Sequence, residues 1–128
     1  MAETFRNDYF SVDVDRARGL VTLTRSAAPF PSLEAIARIY GEVEPALARE
    51  TGLKLLFDLR QGPPGRNDPE FERAIERWRK KLSGFSRQAI LVRSMAGKLQ
   101  VQRLAKQDDR AAHVFTDERE ALRYLGEP

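Results

Sequence analysis

Residues 53–60 read Leu53–Lys54–Leu55–Leu56–Phe57–Asp58–Leu59–Arg60, a nearly unbroken apolar run that ends in an acid and a base. A short apolar run of this kind predicts a strand buried on both faces, inside a sheet that helices cover on each side. The loop Gln61–Gly62–Pro63–Pro64–Gly65–Arg66–Asn67 follows. Asp68 then precedes Pro69, a helix entry with an acid at the N-cap and proline at the first helical position. Open α/β sheets place their ligands beyond the carboxyl ends of such strands. Attention therefore falls first on Asp58, Arg60 and the loop after them.

The rest of the chain supplies partners for that strand. Phe10, Val12 and Val14 alternate with polar residues, Arg18–Gly19 marks a turn, and Leu20–Val21–Thr22–Leu23–Thr24 is rich in β-formers. Together they predict an antiparallel hairpin. Ser32 is a good N-cap, and Leu33, Ile36, Ala37, Tyr40, Val43 and Leu47 follow helical spacing. Pro45 lacks an amide proton and its ring meets the carbonyl of Gly41, which predicts a kink or a break. Phe71, Ala74, Ile75, Trp78 and Leu82 mark one face of a helix over 68–83. Gln88–Arg93 reads as a second central strand, Met95–Gln107 as a helix and Ala112–Thr116 as a short strand. Asp117 with Glu120 fits a capping box for a final short helix. The order β–β–α–β–α–β–α–β–α predicts a single α/β domain over 1–128, with a mixed four- to five-stranded sheet, an N-terminal hairpin and about four helices.

Composition removes several function classes. With no cysteine, thiol catalysis, disulfides and thiolate metal sites are excluded. His113 stands alone as histidine, in a short apolar strand without a readable acid or serine partner, so neither a His-rich metal site nor a general base is expected. The loop 61–67 is no phosphate loop: its prolines remove amide donors and no Gly-Lys-Ser/Thr follows. Residues 66–110 hold twelve of the 22 Lys/Arg but six of the 19 Asp/Glu, a positive bias centred on Arg77, Arg79, Lys80, Lys81 and Arg87. No helix-turn-helix or RNA-recognition pattern accompanies it, and nucleic acid is not the expected partner. The first residues lack an apolar signal region and no apolar run reaches transmembrane length, so a cytoplasmic protein without a membrane span is expected.

The opening hairpin, the strand Leu55–Leu56–Phe57–Asp58–Leu59–Arg60 and the ending Val114–Phe115–Thr116–Asp117–Glu118–Arg119–Glu120–Ala121–Leu122–Arg123–Tyr124–Leu125 resemble the SpoIIAA-like division of the STAS fold. That family comprises sulfate-transporter and anti-sigma factor antagonist domains. The resemblance spans nearly the whole chain. It implies a bacterial, non-catalytic regulatory or interaction module that docks a protein partner and needs no cofactor. It also admits an alternative, a domain that carries a small lipid-like ligand between helix and sheet. One departure is plain. Antagonists of the family carry a phosphorylatable serine at the start of the helix after the central strand, whereas here that stretch reads Arg66–Asn67–Asp68–Pro69 and no Ser or Thr lies between Arg60 and Lys81. The phosphorylation switch therefore does not transfer.

The candidate binding residues are Asp58, Arg60, Arg66, Asn67, Asp68 and Trp78, with no catalytic and no metal residue among them. Asp58 and Arg60 either hold a polar ligand or partner, or pair with each other or cap neighbouring backbone; residues two apart on a strand share a face, so a mutual contact is open to them. Arg66 and Asn67 before a helix N-terminus would attract an anion, opposed by the Asp68 carboxylate. Trp78 belongs either to the core or, with Phe71 and Phe85, to a partner or homodimer surface.

Overall fold

The computed structural model describes residues 2–63, 69–81, 84–107 and 113–126. Six strands form one sheet in strict chain order: β1 (Ala2–Arg6), β2 (Phe10–Asp15), β3 (Leu20–Arg25), β4 (Lys54–Asp58), β5 (Arg87–Leu91) and β6 (Val114–Phe115). Helices α1 (Leu33–Ala48), α2 (Pro69–Lys81), α3 (Met95–Gln107) and α4 (Glu118–Tyr124) alternate with the later strands. β1–β2–β3 pair antiparallel, and β3–β4–β5–β6 pair parallel. The predicted hairpin closes through Gly19, whose φ of 61° is the left-handed conformation that glycine adopts without steric cost.

β4 is interior, as its apolar character predicts, with Leu55 and Leu56 both buried although they point to opposite faces. On one face, Leu55 joins Phe10, Val12, Val14, Val21 and Leu23 beneath Ile39, Val43 and Ala46 of α1. Phe57 and Ile90 continue this face toward Val101 of α3. On the other face, Leu20, Leu56, Ala89 and Leu91 receive Ala121 and Leu125 from the end of the chain. A sheet that grows one strand at a time in one direction puts its crossover helices on one side, because parallel crossovers share a hand. The seven-residue α4 is thus left to cover the reverse.

Two expectations need correction. The sheet has six strands, not four or five, because Ala2–Arg6 adds an edge strand to β2. That segment has one apolar side chain facing the core, Phe5, and therefore no readable alternation. It forms because β2 offers an otherwise unpaired edge. Of the kink or break expected at Pro45, the break does not occur: α1 runs unbroken to Ala48. Pro45 and Gly41 are both exposed, so the missing hydrogen bond lies on the solvent side. Val43, Ala46 and Leu47 meanwhile hold the turns on either side of it against the core.

Candidate functional site

The carboxyl ends of the parallel strands form the rim where the sequence directs attention. Asp58 closes β4 and, by strand alternation, shares its face with Leu56, the side covered by α4. The chain then leaves the sheet with the Leu59 amide donating to the Leu91 carbonyl at 2.8 Å. Asp58 is 9% exposed. Its Oδ1 accepts from the Arg60 amide and from Arg60 Nε, each at 3.0 Å, and its Oδ2 accepts from Arg60 Nη2 at 2.9 Å. Burial pushes the Asp58 carboxyl upward, but the side-chain and backbone hydrogen bonds from Arg60 and its charge together outweigh that and hold it below the usual value. The same pairing raises Arg60.

Of the two readings of this pair, mutual pairing is what the structure shows. Its chemistry follows. A carboxylate forked by a guanidinium is a weak base with its lone pairs engaged, so Asp58 is poorly placed to take a proton from a substrate. Arg60 faces outward: its side chain is 40% exposed, and Nη2 also lies 3.7 Å from Glu118 Oε1 on α4. The rim therefore presents a half-exposed cation held between two carboxylates.

Trp78 lies apart from this cluster. Half-buried on α2, it stacks on Tyr40 of α1, with ring centroids 5.6 Å apart and planes 15° apart, on the opposite side of the sheet from Asp58. Phe71 meets Phe30 at 6.3 Å. Phe85, grouped with them as a surface patch by the sequence, is instead buried in the main core. Arg66, Asn67 and Asp68 lie outside the described residues, as does Leu82.

Sequence reasoning missed Arg25. It ends β3, is 6% exposed, and has no carboxylate partner among the described residues. Its guanidinium carbon lies 4.2 Å from the Phe30 ring centroid, 5.6 Å from Phe10 and 5.9 Å from Tyr9, and Nη1 donates to the Ser26 carbonyl at 2.8 Å. Burial lowers its pKa. Gly62 packs against its stem: a methyl group there would lie 3.1 Å from Arg25 Cγ. The signal was present in the alternation of β3, where Val21, Leu23 and Arg25 point to one side and only Arg25 breaks the apolar series. A nearly buried cation amid aromatic rings, with one backbone acceptor, is an expensive feature for a fold to keep.

Among the described residues no group of three or more His, Asp or Glu side chains converges as metal ligands. None of the described helices is long and apolar enough to cross a membrane. Fold and rim together define a mixed α/β domain with a parallel sheet extended by an antiparallel hairpin. No family model, no curated protein and no solved structure matches the chain.

Proposed function

We propose that this chain is a non-catalytic interaction module of the STAS type, lacking the phosphorylatable serine, that docks a protein partner on the rim at Arg60 and Glu118. The observation that carries the reading is the closed Asp58–Arg60 fork. It engages the acid at the strand end where α/β folds commonly set their chemistry, and it leaves a half-exposed guanidinium and a neighbouring carboxylate facing out. Arginine in a fixed fork is a favoured contact at protein interfaces. The hairpin feeding an alternating sheet and helix series, with the closing Val114–Leu125 segment packed on the reverse face, supports the family assignment.

A second reading, a carrier of a small lipid-like ligand, is favoured by Arg25 alone. An apolar molecule with an anionic head would find both a cation and aromatic walls there. Native mass spectrometry of protein purified from its own host separates the two. A protein partner lost from Arg60→Ala and kept by Arg25→Met supports docking at the rim. A small anionic molecule lost from Arg25→Met and kept by Arg60→Ala supports the carrier. A bare monomer in both wild-type and variant preparations contradicts both.

A further inference from the structure

We infer that the outer face of α3 is a contact surface for an anionic lipid bilayer, a property separate from docking at the rim. Met95 and Leu99 are the large apolar side chains left exposed among the described residues, at 60% and 63%. They lie one turn apart, and helical spacing puts Gln102, Arg103 and Lys106, all exposed, on the same outward arc. Val101, on the other side of the helix, packs onto Ile90, Val92 and Val114. The helix is therefore anchored through its inner face, and Ser94 Oγ accepts the Gly97 amide at its start. The outer face can meet a surface without any refolding.

Charge selects what that surface is. From Arg93 to Gln107 the chain carries Arg93, Lys98, Arg103 and Lys106 and no acid at all. Among the described residues, Arg93, Lys98 and Lys106 have no carboxylate at ion-pair distance. Among the described residues, Arg6, Arg18 and Arg38 each lie beside a carboxylate, whereas Arg49, Arg119 and Arg123 do not; what sets α3 apart is that its cations stand next to exposed Met95 and Leu99. A helix face with exposed apolar side chains beside Lys98 and Lys106 suits negatively charged headgroups over a shallow apolar layer. A specific protein interface would call for an aromatic anchor and about 800 Å² per partner, and this face offers two flexible aliphatic chains. A fluid bilayer needs neither anchor nor shape complementarity, and long lysine and arginine stems reach its headgroups while methionine and leucine dip below them. Two apolar side chains alone hold too little to bind neutral lipid, so the attachment should be strictly charge-dependent.

The test is co-sedimentation of the full chain with vesicles of phosphatidylcholine alone, and of phosphatidylcholine with about 30% phosphatidylglycerol. Binding is expected only to the second, and it should disappear as salt rises to about 0.5 M, where the screening length shrinks to a few ångströms. Lys106→Glu reverses one charge at the surface and should weaken binding roughly tenfold. The double change Met95→Ser with Leu99→Ser should weaken it about fivefold or more. Arg119→Glu, on the opposite face of the sheet, makes the same charge change and should leave binding within about twofold. All three sets of positions are exposed, so an unchanged circular dichroism melt keeps loss of folding apart from loss of contact. Equal binding to neutral vesicles, no binding to either, or a larger effect from Arg119→Glu than from Lys106→Glu overturns the assignment. So does binding to polyglutamate at low salt without binding to anionic vesicles, which would give the face to an acidic protein.

Discussion

Asp58 and Arg60 set the electrostatics of the rim, and their pairing has a consequence that can be measured. The folded state holds the Asp58 carboxyl below its unfolded value. Its contribution to stability is therefore complete above the unfolded pKa of about 4 and is lost as pH falls through the lower, folded value. Chemical denaturation between pH 7 and pH 2 should show a stability decline on the acid side that Asp58→Asn makes shallower. An acid limb of unchanged slope in that variant would mean the pair holds nothing in the folded state. The spacing of two let the sequence place both residues near one strand end and within reach of each other, although β4 itself stops at Asp58. Which of two partners each would choose was not legible there. That choice depends on the backbone turn after Leu59, which brings the Arg60 amide and guanidinium back onto one carboxylate.

At the scale of elements, aromatic side chains tie α1 and α2 together on the hairpin side of the sheet. Phe30 meets Tyr9, Phe10 and Tyr40, and Tyr40 meets Trp78. Trp78 belongs to this helix–helix seam and is only half-buried, so Trp78→Ala should cost about 2 kcal/mol, below the 3–5 of a fully enclosed aromatic. Thermal melting of the variant checks this, and a loss near 5 kcal/mol would move Trp78 into the core proper. β2, β3 and α4 were legible because alternation, a turn residue or a cap announces each, and β4 because its apolar run ends at a Gly/Pro loop. β1 was not, since an edge strand with one inward apolar residue has almost no period to read. At Pro45 the expected break is absent for the opposite reason. A local rule about one hydrogen bond was outweighed by burial on the far side of the helix, which no local rule contains.

For the whole molecule, stability should fall off from the centre of the sheet to its β1 edge. β4 is flanked by β3 and β5 and buried on both faces, whereas β1 pairs on one side only and is mostly exposed. Hydrogen exchange should accordingly find the amides of 55–58 among the slowest and those of 2–6 among the fastest. The reverse order would contradict the placement of β4. The overall charge bias was also legible in the sequence, but its centre was not. The composition drew attention to residues 77–87, whereas the structure sets exposed methionine and leucine beside cations on α3, a neighbourhood that appears only once helical phase and burial are known together.

The proposed docking of partners on the rim beside the Asp58–Arg60 fork is tested most directly by site-specific photo-crosslinking in the native host. A photoreactive residue in place of Glu118 should yield one discrete protein adduct that Arg60→Ala abolishes, and the same probe at Ala17, in the hairpin turn at the other end of the sheet, should yield none. Adducts at Ala17 and none at Glu118, or an adduct at Glu118 indifferent to Arg60, would contradict the account.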